Sequence, residues 1–291
     1  MPELPEVEVT RRRIEPFLVG RRIRRVGTTA PSYFFLTPPD RLRRGLAGRT
    51  VESLERRGKY LVADLDGGSR LVVHLGMTGQ LFSAGATSLR LLSATARAAL
   101  APEEQRGFRP DAHTHLRFAF CDDGQEVYLR DVRKFGKVLL LRPQEHHPRL
   151  AKLGVDALDA TGAHLFAASR ARSIPAKSLL LDQSLVAGVG NIYADEALFL
   201  AGVRPQRRAA RLTRRECDAI VAGLQRVLRR SIETGGSSIS DYVAPDGSDG
   251  AYQSERRVYA RAGEPCQECG ASIRKLVVGQ RGTHYCPRCQ R

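Results

Sequence analysis

The residues with the most chemical potential stand at the start of the chain, "MPELPEVE". Removal of Met1 exposes a secondary amine at Pro2. Once neutral, such an amine can attack an aldehyde-like sugar carbon and form an iminium, which is covalent nucleophilic catalysis. An α-amino group starts with a lower pKa than a lysine, so it needs less perturbation near neutrality. Glu3 and Glu6 are spaced to share one face at the start of an expected helix. The plainer alternative is a helix cap, because proline and acidic residues both favour helix starts. Spacing alone leaves both readings open.

A second group lies near the other end. "CQEC" (266–269) and "CPRC" (286–289) are separated by sixteen residues. Paired C-x2-C motifs at this separation point to a tetrahedral zinc site made by Cys266, Cys269, Cys286 and Cys289. With all four ligands from protein, the zinc is expected to be structural. Gly270 and the apolar "IRKLVVG" suit a two-stranded hairpin between the knuckles, with Arg281 of "GQRGTHYC" at its tip. A cation there can contact phosphates or enter a groove, although zinc-organised hairpins need do neither. Two disulfides fit poorly with a chain expected in the cytoplasm. Cys121 and Cys217 fall in apolar patterns and are expected to be buried thiols.

Elements must position these groups. Val7, Ile14 and Leu18 can anchor an N-terminal helix. The first 140 or so residues then read as short strands: "RRIRRVGTT", "TVESLERRG", "YLVADLDGGSRLVVHLG", "THLRFAFCDDGQEVYLRD" and "KVLLLRP". Two packed antiparallel sheets are the economical arrangement. A long insert at 83–112 interrupts them, with an Ala/Leu-rich middle able to form a short helix. Beyond residue 150 the period becomes helical. Thr213 and Glu216 form a capping box for a helix over 213–230, which buries Cys217, Ile220, Val221, Leu224, Val227 and Leu228. Asn191 is read as the N-cap of a helix from Ile192 to about Ala201, stopped by Gly202. "GVGN" (188–191) leads into an open helix start, which can bind an anion or be an ordinary turn.

The 291 residues carry 47 Lys+Arg against 31 Asp+Glu, a formal net charge of +16. Folded chains this basic commonly meet a polyanion, and arginine suits phosphate geometry. No stretch is long or apolar enough to span a membrane, and residues 1–20 lack the features of a signal peptide. A cytoplasmic protein is expected.

"PELPEVE", "RRGKYL", "HLGMTG", "DVRKFG", "LLLDQSLVAGVGNIYADE", "GGSSISDYV" and the four-cysteine finger follow one another along nearly the whole chain. In that order they resemble the bacterial formamidopyrimidine-DNA glycosylase family (8-oxoguanine DNA glycosylase/AP lyase), relatives of endonuclease VIII. The resemblance implies that Pro2 is the nucleophile attacking C1′ of a damaged nucleotide. It implies that Glu3 is the acid/base on the sugar, that Glu6 supports the pocket and that Lys59 contacts the lesion phosphate and assists elimination. Cleavage by β,δ-elimination follows. Asn191 and Arg281 are implied to bind phosphates, with Arg281 also assisting cleavage. Met77, Arg133 and Phe135 are implied to fill the gap left by an extruded base, with Arg133 facing the orphaned cytosine. His74 is implied to lie near the DNA-facing groove, on a phosphate or in a structural role. Residues 235–253 match the loop that covers the lesion.

The implied fold is α+β: an N-terminal two-sheet antiparallel β-sandwich with an N-terminal helix, a helical helix-two-turns-helix domain and a zinc-finger hairpin. Expected boundaries are 1–143, a linker at 144–153, then 154–258 and 259–291. One structural Zn2+, damaged double-stranded DNA as partner, a monomeric state and association with the nucleoid complete the expectation. The chain departs from the family pattern in its long 83–112 segment, at Ala112, in "DGSDGAY" and in "VYARAG". None of these removes a proposed catalytic group. Two rival readings remain: a paralogue preferring oxidised pyrimidines, and a zinc-containing DNA-binding protein without catalysis.

Overall fold

Helix α1 (Leu4–Ile14) begins where proline and acidic residues favour a start. Pro5 stands in the first turn, where an absent N–H removes no helical hydrogen bond. Arg11, Arg12 and Arg13 occupy the last turn, where the helix dipole favours cations. Val7, Ile14 and Leu18 all enter the main hydrophobic core, as their spacing predicts. The computed structural model describes residues 2–86, 108–238 and 242–291.

Two four-stranded antiparallel sheets receive α1. One has the order β1 (Ile23–Thr28), β6 (Thr114–Phe120), β7 (Val127–Asp131) and β5 (Gly79–Ser83). The other runs β2 (Val51–Arg57), β3 (Tyr60–Leu65), β4 (Arg70–His74) and β8 (Lys137–Leu141). One continuous core takes Ile23, Phe118 and Leu129 from the first and Leu54, Leu61 and Val73 from the second. Burying that apolar area is what holds a sandwich together.

Within the sandwich, helix α2 (Pro39–Leu46) and strand β5 escaped the sequence reading. Helix α2 starts at a proline that also reads as a breaker, and it buries Leu42 and Leu46 one turn apart. Strand β5 is buried throughout, so it lacks the alternation that marks a half-exposed strand. Of the 83–112 segment, residues 87–107 and the short helix expected there lie outside the described residues. The described residues on either side of 87–107 meet: the Phe108 N–H donates to the Ala86 carbonyl at 3.0 Å, and the Phe108 ring lies 4.1 Å from that of Phe82.

The chain divides into two compact units, Met1–His147 with Thr234–Ala251, and Pro148–Glu233 with Tyr252–Arg291. The segment 234–251, expected within 154–258, is thus part of the sandwich unit. The second unit contains α3 (Gly162–Arg170), α4 (Ala176–Leu181), α5 (Asn191–Leu200) and α6 (Arg214–Glu233). It also holds a short parallel pair, β9 (Val155–Asp156) with β10 (Val186–Ala187), and the hairpin β11 (Arg274–Val278) with β12 (Arg281–Tyr285). The Thr213 and Glu216 capping box is present, with Thr213 N to Glu216 Oε2 at 2.8 Å and Glu216 N to Thr213 Oγ1 at 3.2 Å. The six expected apolar positions of α6 are buried. The helix runs three residues beyond the expected end at Arg230.

Two expectations fail. Asn191 is not an N-cap: Gly190 takes that position with an extended backbone, and Asn191 is the first helical residue. Its side chain is drawn instead to the hairpin described below. Cys121 is exposed, because β6 ends at Phe120 and Cys121 opens the turn to β7. Cys217 is buried as expected, and burial pushes its thiol up to about 11. Among the described residues no helix is long and apolar enough to cross a membrane.

Candidate active site

At the start of α1, Pro2, Glu3 and Glu6 are all buried. The Glu3 N–H donates to Glu6 Oε2 at 2.8 Å, half of a reciprocal capping box between the two acids. Glu6 Oε1 accepts from the Ser237 N–H at 2.9 Å. One carboxylate therefore joins the amino end of the chain to the segment 234–251. The cap and reactive-end readings are compatible, since the cap is what orients residues 2 and 3.

Helix α1 packs on β2 and β3. Glu8 secures it through Arg12 Nε at 2.7 Å and Arg56 Nε at 3.1 Å, with Arg11 alongside. Burial alone would raise the Glu8 carboxyl, but hydrogen bonds from Arg11 and Arg12 outweigh it and hold the group below the usual range. The β2–β3 turn is only Gly58 and Lys59, with Gly58 at φ +57° at its first position. This turn carries Lys59, 8% exposed, three residues beyond the Arg56 tether.

Tyr60, His74 and Lys137 are direct neighbours across β3, β4 and β8. The loops following His74 and preceding Lys137 therefore emerge at the same sheet end as the Lys59 turn. His74 is half-buried, accepts the Gly76 N–H at Nδ1 (3.1 Å) and lies 4.7 Å from the Tyr60 ring.

Gly76 has φ +65°, and a Cβ there would stand 2.4 Å from the Gly136 nitrogen. Only glycine lets the "HLGMTG" and "DVRKFG" turns touch backbone to backbone. Met77 and Phe135 are 38% and 41% exposed on them, and the Arg133 guanidinium lies 4.5 Å over the Phe135 ring. Sequence reasoning missed the residue that joins these turns. Fully buried Asp131 accepts from the Gly136 N–H at 2.7 Å and from the Thr78 hydroxyl, while the Arg133 N–H reaches Thr78 Oγ1 at 3.2 Å. His115 supports Asp131 from behind, with Nε2 3.0 Å from its carbonyl and Nδ1 3.0 Å from Thr29 Oγ1. Burial lowers the pKa of this imidazole, favouring the neutral form that donates at one nitrogen and accepts at the other. An acid at a strand end was the one available signal.

The segment 234–251 closes on itself: the Ala251 N–H donates to the Thr234 carbonyl at 2.9 Å and the Gly250 N–H to Ser238 Oγ at 2.9 Å. Gly236, at φ +88°, lies against the Glu6 side chain. Arg13 of α1 reaches both Asp246 oxygens at 2.9 Å. Residues 239–241 of the expected covering loop lie outside the described residues.

In the second unit, Gly279 and Gln280 both have positive φ, as a two-residue hairpin turn of this hand requires. Arg281 is exposed immediately after them. The carbonyl of Gly282 accepts from Asn191 Nδ2 at 2.9 Å and from Lys177 Nζ at 3.0 Å. Lys177 also pairs with Asp195 at 2.7 Å, both fully buried, and Asp195 accepts the His284 N–H at 2.8 Å. Asn191 and Arg281 are thus brought together, with the Asn191 amide fixing the hairpin that presents Arg281.

The Sγ atoms of Cys266, Cys269, Cys286 and Cys289 all lie within 4.8 Å of one another. Tetrahedral zinc with Zn–S of about 2.3 Å would space its sulfurs by roughly 3.8 Å. The Cys266–Cys289 and Cys269–Cys286 separations of 3.9 and 3.4 Å fit that donor set.

Comparison with known proteins gives concordant results. Residues 1–138 match the profile of the formamidopyrimidine-DNA glycosylase N-terminal domain, and residues 153–243 that of its H2TH domain. Residues 263–291 match the zinc finger found in FPG and IleRS. A formamidopyrimidine-DNA glycosylase of Burkholderia thailandensis is 43% identical over 298 residues, covering 100% of both chains. That of Neisseria meningitidis is 42% identical, again over 100% of both. Among solved structures, the MutM (FPG) protein of Thermus thermophilus superposes with TM-score 0.82 at 38% identity, covering 99% of this chain and 98% of that one. A Lactococcus lactis FPG mutant in complex with Fapy-dG-containing DNA gives 0.85 at 36% identity, with 100% of each chain covered.

Proposed function

Because this chain belongs to the formamidopyrimidine-DNA glycosylase family, we propose that it is a bifunctional DNA glycosylase/AP lyase excising 8-oxoguanine and formamidopyrimidines from duplex DNA. The Pro2 amine, freed by removal of Met1, attacks C1′ of the damaged nucleotide and forms a Schiff base as the base departs. Glu3 moves protons on the opening sugar. Glu6 keeps the amino end in place while its second oxygen holds Ser237. Lys59 meets the lesion phosphate and assists the β,δ-eliminations. Asn191 and Arg281 engage the neighbouring backbone, and His74 faces the groove. Met77, Arg133 and Phe135 occupy the space of the extruded base, which offsets the unstacking cost of a few kcal/mol.

The observation carrying this reading is the buried start of α1, where Glu6 couples Pro2 and Glu3 to the segment 234–251. The four cysteines would hold one structural Zn2+, which locks the hairpin presenting Arg281. We place the enzyme on nucleoid DNA in the cytoplasm, acting as a monomer.

Borohydride trapping tests the proposal. Processed protein should form a covalent adduct with 8-oxoguanine:C duplex. Pro2→Gly should abolish the adduct, and Glu3→Gln should slow turnover by about a hundredfold. Absence of an adduct from folded protein with a free Pro2 amine would overturn the mechanism. Faster excision from an oxidised-pyrimidine duplex would instead assign the chain to the other branch.

A further inference from the structure

Tyr33 is 61% exposed, the most exposed aromatic ring among the described residues, although Phe34 and Phe35 beside it are buried in the core. Its position is nevertheless fixed. The Phe35 N–H closes a turn onto the Ser32 carbonyl at 3.0 Å, and the Leu36 N–H binds the Val138 carbonyl at 2.9 Å. This anchors the segment along the start of β8, next to the Arg133–Gly136 turn. The Tyr33 hydroxyl donates to the Arg133 carbonyl at 2.9 Å. The ring also receives the Lys137 ammonium 4.8 Å from its centroid, and that ammonium donates to the Gly136 carbonyl at 3.0 Å.

Tyr33 and Lys137 therefore hold the two ends of the Arg133–Gly136 turn from outside, as Asp131 holds it from within. The turn needs both supports, because it contains Lys134 at φ +56°, a conformation unfavourable for a residue with a Cβ. A turn held only by Asp131 could relax, separating the stacked Arg133 and Phe135 side chains. A ring exposed to this degree adds little by burial, so the hydroxyl and the ring face account for its placement.

The geometry points to Tyr33 as a positioning residue for the Arg133–Phe135 pair, setting how well the enzyme extrudes a lesion and reads the opposing base. This rests on the proposed function and extends it to a residue outside the motifs. Tyr33→Phe removes only the hydroxyl, and Tyr33→Ala removes the ring as well.

The test compares single-turnover excision from 8-oxoguanine:C, excision from 8-oxoguanine:A, and cleavage of a preformed abasic site that needs no base removal. Tyr33→Phe should slow 8-oxoguanine:C excision by about fivefold, as expected for one lost hydrogen bond. Tyr33→Ala should slow it by about tenfold or more and compress the C-over-A preference. Both should cleave abasic DNA within about twofold of the parent rate. Uniform loss across all three substrates would mark a merely structural role and overturn the inference. Unchanged ratios in both variants would do the same. If Tyr33→Ala does not fold, Tyr33→Phe alone decides, since it leaves the neighbouring packing intact. A parent without activity on abasic DNA would overturn the proposed function, and this inference with it. An active parent with unaltered Tyr33 variants overturns only the inference.

Discussion

At the scale of single residues, chemistry depends on which groups are held and which are open. Glu6 divides its two oxygens between the Glu3 N–H and the Ser237 N–H, so its role follows from its partners rather than from its charge. Asp131 works similarly, collecting three donors of the two turns that carry Met77, Arg133 and Phe135. The two cysteines outside the finger diverge for the same reason. Cys121 is open to solvent, whereas burial holds the Cys217 thiol protonated up to about 11. A thiol reagent at neutral pH should modify Cys121 rapidly in the folded, zinc-loaded protein and reach Cys217 only after denaturation. Mass spectrometry of digested protein checks this, and early labelling of Cys217 would contradict its buried placement.

At the scale of elements, α1 shows how a charge cluster positions a site. Glu8 ties Arg11, Arg12 and Arg56 together and so joins the helix that follows Pro2 to the strand that leads to Lys59. Losing this charged, partly buried network should cost about 1–3 kcal/mol. The folded Glu8 carboxyl lies below its ordinary range, so its stabilisation is complete above that range and disappears as pH falls through the folded value. Glu8→Gln should therefore lower the melting temperature clearly at pH 7 and much less near pH 3. Equal differences at both pH values would show that the pairing is not responsible. The amphipathic helix 213–230 and the alternating strands were legible because each reports its own burial period. β5 and α2 were not: one is buried on both faces, and the other starts at a residue that also ends helices.

At the scale of the whole molecule, a charge of +16 is carried by a chain that folds as two compact units. The second unit relies on the finger for the orientation of Arg281. Phe199 and Val258 pack in the same cluster as Cys266 and Cys286, so the finger shares a core with helix α5. Metal loss should accordingly reach beyond the hairpin. Treatment with a chelator should weaken binding to lesion-containing duplex by at least about tenfold and lower the melting temperature, with recovery on adding Zn2+. Metal analysis should find one zinc per chain. Full DNA affinity in demetallated protein would separate the finger from the binding surface.

The amino-acid sequence by itself determined the class of fold, the four-cysteine cluster and the short motifs resembling a glycosylase family. Those features are local: a period, a spacing or a run of residue types reports them without knowledge of the rest of the chain. Only the tertiary structure decided what holds the motifs in place. Glu6 with Ser237, Asp131 between two turns, Asn191 with Lys177 on Gly282, and Tyr33 on Arg133 are pairings between distant segments. Hydrogen-bond partners far apart in the chain leave no periodic trace, because they are chosen when apolar faces pack and the remaining buried polar groups must find one another. Glu3 and Glu6 were readable as a helix start in "PELPEVE", while the Ser237 N–H that ties Glu6 to the segment 234–251 was not.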